Sequence, residues 1–332
     1  MIPDILNYDN YIFAFSGGKD SIASFLHLIE MGVPISKIEL WHHRIDGAEG
    51  STLMDWPVTE DYCRKFAKAF NVPIYFSWKQ GGFEREMLRE NDLTAPTAFQ
   101  YPGDDNIIEC GLVGGQSGKL STRMKFPQVS PDLKVRWCSA YLKIDVCSKA
   151  INNQDRFNNK RTLVISGERA EESPARAKYN DFETDRTDNR NGKNKRHVDR
   201  YRPVHTWKES QVWEIIKRHR VNPHPAYVLG WGRLSCMFCI FGSANQFASA
   251  NFIAPQAMAK LIRYEKQFGV SIKRNMYLPE LISLGKPYRA ITERMFIDNF
   301  IKMALSGNYT EKIIVNNWQL PAGAYGESTG PI

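Results

Sequence analysis

Apolar positions along this chain fall into short runs of strand character separated by stretches of helical spacing. Tyr11 to Phe15 is an apolar run that breaks at Ser16-Gly17-Gly18, after which Ile22, Phe25, Leu26 and Ile29 recur at helical intervals. Lys37 to Arg44 predicts a second strand, ended by Asp46-Gly47; with the helix between them the two strands form a parallel, right-handed β-α-β unit. Thr59 to Phe70 predicts an amphipathic helix with Tyr62, Phe66, Ala69 and Phe70 as its apolar stripe. Val72 to Trp78 predicts a third strand, Phe83 to Arg89 a short helix, Trp137 to Ile151 a longer one, and Arg161 to Ser166 a fourth buried strand. Trp207 to His219 returns to helix, with Trp213, Ile216 and Lys217 on the side nearer the core, and further helices are expected near 254–268, 277–283 and 289–304. The alternation predicts an α/β fold with an open, mostly parallel, doubly wound sheet and a smaller, mostly helical C-terminal part. The expected boundaries are 1–220 for the α/β domain and 221–332 for the remainder. Within the first, 91–136 reads as an irregular insertion and 180–200, almost without apolar residues, as a mobile loop. Residues 320–332 read as a loose tail.

Composition narrows the class. No stretch of about 18 uncharged apolar residues exists to span a bilayer, and the first residues lack a basic signal-like start, so no membrane partner and a cytoplasmic location are expected. A net charge of +8 over 332 residues suits a nucleic acid or an anionic nucleotide without choosing between them, and leaves the oligomeric state open. Six cysteines in a chain this long are too few for a disulfide scaffold.

The densest chemistry is Ser16-Gly17-Gly18-Lys19-Asp20-Ser21. A strand, a glycine turn and a helix N-terminus aim backbone N–H groups and a positive dipole end at an anion. Lys19 adds a point charge, Ser16 and Ser21 add hydroxyls, and Asp20 can orient a ligand group or help hold Mg²⁺. Ligands of such sheets sit beyond the carboxyl ends of the strands, which makes Asp46 a candidate neighbour of the nucleotide. His42 and His43 project to opposite sides of their strand, so one site cannot use both. Gly167-Glu168-Arg169-Ala170-Glu171-Glu172 follows the fourth strand; Arg169 and Arg176 are natural phosphate donors, while Glu168 and Glu172 can hold those arginines, hold a metal, or face solvent. Residues 114–121 fail the GxxxxGK[ST] pattern, having Val113 and Leu120 at its key positions.

Cys236 and Cys239 have metal-ligand spacing that fits zinc, an iron–sulfur cluster or a redox dithiol. On a straight helix, Cys138 and Cys147 would lie about 900° of turn and about 13 Å apart, so one site cannot use both. Cys138 is preferred because a helix start lowers a thiol pKa, and Cys147 is assigned to the core. Cys63 lies beside an apolar stripe and reads as core, while Cys110 in the insertion and His224 are candidate further ligands.

SGGKDS in this setting resembles the pyrophosphate-binding (PP) loop of the ATP pyrophosphatases, within the branch of phosphoadenosine phosphosulfate (PAPS) reductase-like proteins. WCSAYLK, GERAEESPAR, PVHTWKESQVW and the stretch from Asn222 to Cys239 resemble that branch's later motifs in order. The resemblance implies a nucleotide contact for Gly167, Arg169 and Ser173, and a four-iron cluster on Cys138, Cys236 and Cys239, with zinc as the alternative metal. Because Cys138 is followed by Ser139 rather than a second Cys, it is similar to iron–sulfur sulfurtransferases of tRNA or DNA thiolation more than to the cluster-bearing sulfate-reducing enzymes. The implied activity is adenylation of an acceptor by ATP with Mg²⁺, releasing pyrophosphate, with Lys19, Asp20 and Arg169 as catalytic residues. The implied partners are a tRNA or DNA acceptor and a sulfur-donor protein. The alternatives are reduction of PAPS or adenylyl sulfate to sulfite, for which no Cys follows Cys239 as the nucleophile, and a nucleotide-binding regulator without turnover.

Overall fold

The computed structural model describes residues 4–327 except 294 and 296. Its centre is one eight-stranded sheet with the order β5-β4-β3-β2-β1-β6-β8-β7. The strands are β1 Asn10–Ala14, β2 Ile38–Arg44, β3 Ile74–Lys79, β4 Thr97–Pro102, β5 Ile108–Val113, β6 Arg161–Ile165, β7 Phe182–Thr184 and β8 His197–Tyr201. β3, β2, β1, β6 and β8 run parallel to one another, and β4, β5 and β7 add antiparallel edges. The mostly parallel, doubly wound sheet expected from the apolar runs is therefore present. β1 lies between β2 and β6, and its Tyr11, Ile12 and Phe13 are almost wholly buried, as a strand covered on both faces requires. Helices α1 (Lys19–Glu30) and α2 (Thr59–Ala69) pack through Phe25, Phe66 and Phe70, and short α3 (Gly82–Met87) follows β3. Beyond 221 the chain is helical, with its largest helices at Ala244–Ile253 and Pro255–Phe268. The expected helix over 289–304 is found as Arg289–Thr292 and Ile297–Ala304; residues 294 and 296, and 328–332 of the expected tail, lie outside the described residues. Among the described residues no helix is long and apolar enough to cross a membrane.

Four expectations change. The insertion at 91–136 is not irregular throughout, because β4 and β5 form a hairpin that pairs with β3. Asp105 at φ 55° turns the chain between the two strands, and Gly111 leaves room for the Phe99 ring, which a Cβ there would meet at 2.5 Å. Residues 180–200 hold β7 and the start of β8, so they are not a structureless loop. Their charges satisfy one another: Arg190 bonds Asp188 and Asp199 at 2.9 and 2.6 Å, Arg200 bonds Asp185 at 2.9 Å, and Arg202 reaches Glu168 and Glu183 at 2.6 and 2.8 Å. The helix over 137–152 is not straight, since a π turn at Ala140–Ile144 separates Trp137–Ser139 from Asp145–Asn152. Lys217 faces solvent, whereas Trp213 and Ile216 are buried as expected.

Candidate functional site

The polar residues of SGGKDS meet at the carboxyl end of β1. Gly17 takes φ 75°, and a Cβ there would approach Cys63 Sγ to 3.0 Å and Tyr62 to 3.2 Å, so the turn is closed to side chains by both backbone and packing. Helix α1 starts at Lys19, and Ile22 N–H is the first to find a helical acceptor, Gly18 O at 3.0 Å. Gly18 N–H donates to Ser16 Oγ at 3.3 Å and Lys19 N–H to Tyr227 Oη at 2.9 Å. The amides of Asp20 and Ser21 come before the first helical bond and are the donors an anion would meet there. Ser21 Oγ, 3.3 Å from Ser16 Oγ, donates to Gly18 O at 2.9 Å and stiffens the turn.

The loop's charged side chains engage the protein. Lys19 is only 2% exposed, and its Nζ donates to Gly232 O at 2.9 Å, with Asp20 and Glu209 at 3.7 and 3.8 Å. Burial opposes its charge, but Asp20, Tyr227 and Glu209 outweigh it and hold the ammonium above its ordinary pKa. Arg169 Nε donates to Asp20 Oδ1 at 2.6 Å, and its Nη1 bonds Glu171 at 2.5 Å and Trp207 O at 3.2 Å. Burial works against the Asp20 carboxylate, yet Lys19 and Arg169 keep it below the usual range. Gly167 lets the β6 end lie directly on the loop, since a Cβ would fall 2.6 Å from the Asp20 carbonyl carbon. Arg176 pairs with Glu172, which also accepts from Arg169 N–H at 2.9 Å and lies 3.6 Å from Arg233; Ser173 Oγ accepts from Arg176 N–H at 3.2 Å. The structure thus brings Ser16 to Ser21, Gly167 and Arg169 into one constellation, with Ser173 and Arg176 attached through Glu172.

Asp46, just beyond β2, is held by its own loop. It is buried and accepts from Met54 N–H at 2.9 Å and Asp55 N–H at 2.8 Å, which ties down the loop after β2. Burial outweighs those bonds and pushes its carboxyl up to about 7 from 3.8. A folded-state pKa above the unfolded one gives stability that is complete below about 4 and is lost as pH rises through about 7. Asp46→Asn is expected to flatten the pH dependence between those values by an order of a few kcal/mol; urea midpoints measured from pH 4 to 8 check this, and an unchanged slope would assign it elsewhere.

The histidines separate as expected: His42 Nδ1 lies 3.0 Å from Phe15 O and His43 Nδ1 2.7 Å from Ser77 Oγ. Tyr227, Glu209 and Leu234, which close the loop from the C-terminal side, were not singled out from sequence. Tyr227 lies in the stretch from Asn222 to Cys239, but no residue type there announces a hydroxyl that accepts from the distant Lys19 amide as well as from nearby Leu234.

Among the cysteines, Cys147 is buried with Ile12, Trp41 and Val164, and Cys63 lies in the main core. Cys110 is exposed on the edge strand β5. Cys138, Cys236 and Cys239 are partly buried; burial raises the thiols of Cys138 and Cys236, the charge of Cys239 adds to both shifts, and Lys143 opposes both. The helix start does not depress the Cys138 thiol: burial, then Cys239, push it up to about 11. His224 is not a spare ligand, because its Nδ1 accepts from Ala226 N–H at 3.2 Å and its Nε2 lies 3.2 Å from Thr59 Oγ1. Among the described residues no group of three or more His, Cys, Asp or Glu is drawn tightly enough for a single metal ion. The closed zinc site with His224 therefore does not fit.

A cavity of about 470 Å³ lined by Phe99, Tyr101, Gly111 and Arg156 lies by the β4–β5 hairpin, among residues that precede β6, and so away from the carboxyl-end site.

Residues 115–241 match the family model described as the phosphoadenosine phosphosulfate reductase domain. That span includes the three clustered cysteines and Arg169, and SGGKDS lies before it. An uncharacterized 37.8 kDa protein of Escherichia phage 186 is 27% identical over 282 residues, covering 79% of this chain and 76% of that one. The crystal structure of phosphoadenylyl-sulfate (PAPS) reductase from Candida auris, in its phosphate complex, is similar over 71% of this chain and 85% of that chain, at 16% identity and a TM-score of 0.40.

Proposed function

We propose a PP-loop enzyme that binds ATP on SGGKDS and adenylates an acceptor, a reading supported by the match of residues 115–241 to the PAPS reductase domain model. The observation that supports this most is the assembly of loop, helix start, Lys19 and Arg169 at the carboxyl end of β1, locked from the far side by Gly167 and Tyr227. An acceptor oxygen attacks the α-phosphorus, the bond to the β-phosphate bridge breaks, and pyrophosphate leaves with its charge on the loop. The Asp20 and Ser21 amides stabilise that charge without reorganising, and Lys19 joins them by releasing Gly232 O. Arg169 orders the loop through Asp20, and turns to phosphate only by giving up that bond. Mg²⁺, when bound, would offset phosphate charge; the Asp20 carboxylate that would help hold it is committed here to Lys19 and Arg169. A sulfur nucleophile then displaces AMP. Cys138, Cys236 and Cys239 would hold a [4Fe–4S] cluster, which when bound supplies an iron able to carry sulfur, and Lys143 offsets thiolate charge beside them. The acceptor is a nucleic acid or a small molecule.

The domain match favours a second reading, reduction of PAPS or adenylyl sulfate to sulfite. Chromatography of the nucleotide products separates the two. AMP and pyrophosphate from ATP in the presence of tRNA or DNA support adenylation, whereas sulfite from PAPS with a thiol donor replaces it. Lys19→Ala is expected to weaken ATP binding by about 1.5–3 kcal/mol, the worth of a charged hydrogen bond. Equal affinity by calorimetry would place the phosphates elsewhere.

A further inference from the structure

The two edges of the sheet are finished differently. β7, at one edge, is three residues long, and its Glu183 is paired with Arg202 at 2.8 Å. β5, at the other, keeps unbroken register on β4 over six residues, and among the described residues no strand pairs with its outer side. Proteins usually blunt such an edge with charge, proline or a bulge, and β5 holds no Lys, Arg or Pro. Of the 44 Lys and Arg in the chain none lies between 90 and 118, so this edge lacks the basic charge that would push two copies apart.

Pro102 fixes which groups of β5 face outward. It sits opposite Ile108 and has no N–H, while the neighbouring Gly103 N–H donates to Ile107 O at 2.7 Å. Bonded and unbonded pairs alternate along an antiparallel ladder, so Ile108, Cys110 and Leu112 turn their N–H and C=O groups to the open edge. The side chains of these three residues also share one face of the strand. Ile108 and Leu112 are 51% and 60% exposed, with Cys110 exposed between them.

We propose that β5 is a dimerisation edge, pairing antiparallel with β5 of a second copy about a two-fold axis through Cys110. The edge is complementary to itself, as a two-fold interface requires. This register sets Ile108 opposite the other copy's Leu112 at both ends, and the two Cys110 residues opposite each other. Glu109, the one charge of the strand, then falls opposite the other copy's Gly111. Gly111, Phe99, Tyr101 and Val113, all on the face of Glu109, line the cavity of about 470 Å³ with Arg156, so each carboxylate arrives beside a cavity whose lining includes a guanidinium. An axis through Glu109 would set two carboxylates against each other, and one through Gly111 would take Ile108 away from Leu112. Three strands separate β5 from β1, so this pairing leaves the nucleotide loop untouched.

Sedimentation velocity of the full chain over a wide concentration range is expected to show a monomer–dimer equilibrium. Ile108→Lys and Leu112→Glu each bring a charge against an apolar partner, and each is expected to weaken the dimer at least about tenfold. The double variant sets lysine against glutamate at both ends and is expected to recover dimerisation. A short bis-maleimide should join two wild-type chains through Cys110 and fail to join Cys110→Ser, which still dimerises. Thermal melts show whether each variant keeps the fold; if a charged variant does not, the Cys110 crosslink and its loss in Cys110→Ser decide. A wild type that stays monomeric, a dimer unchanged by the single charged variants, or crosslinking that persists in Cys110→Ser overturns the assignment. Loss in both single variants without recovery in the double one overturns the axis through Cys110.

Discussion

Arg169→Met is expected to destabilise the protein by about 3 kcal/mol, the cost of stripping a half-buried carboxylate of its bonded partner. Arg169 is 2% exposed, and its loss strips Asp20 of a 2.6 Å bond, with Lys19 left at 3.7 Å. Glu171 and the Trp207 carbonyl lose their donor in the same step. Because Gly167 presses on Asp20, disorder there passes directly into the turn that would hold the phosphates. Adding Asp20→Asn should recover part of the loss by removing the stranded charge, a coupling of about 0.5–3 kcal/mol in a double-mutant cycle. Urea midpoints of the four proteins decide it. Additive losses, or a single loss under about 1 kcal/mol, would reduce the pair to a solvated contact and take from Arg169 its role as the loop's anchor.

The sequence made the central strands and the loop legible because both depend on local pattern. Tyr11 to Phe15 must be buried on two faces wherever it folds, and a glycine turn before helical spacing permits few backbone paths. What remained hidden depends on pairing across the chain. β8 reads as a solvated charge run until Asp199 meets Tyr8 and Arg190, and Arg202 meets Glu168. The β4–β5 hairpin is masked by its glycines and Pro102, which score against strand although edge positions tolerate them. Tyr227 and Lys19 are far apart in sequence and joined by one hydroxyl, so no window of either segment shows the contact. At Cys138 burial outweighs the helix start, and the thiol pKa rises where the dipole alone would lower it.

The proposed cluster carries the other large prediction. Protein purified without oxygen is expected to contain near four iron and four acid-labile sulfide per chain, with a broad visible absorption, as a four-iron cluster requires. Cys138→Ala, Cys236→Ala and Cys239→Ala should each lose both iron and sulfide, because each removes one of three thiolates. Cys147→Ala should keep them, since that thiol is shut in the small core with Ile12 and Trp41. The metal-free protein gives a readout that does not depend on turnover. Burial holds the Cys138 thiol up at about 11 and raises Cys236 as well, so alkylation at pH 8 should be slow at both and accelerate as pH rises toward that value. Lys143 opposes the shift at both thiols, and Lys143→Met should slow alkylation further while weakening iron retention. One zinc per chain with no sulfide would overturn the cluster. Because His224 is already bonded on both nitrogens, such a zinc would have to complete its shell with water and not with that imidazole. It would also leave the proposed sulfur transfer without an iron to carry the sulfur, and shift the weight of the site to the nucleotide loop alone.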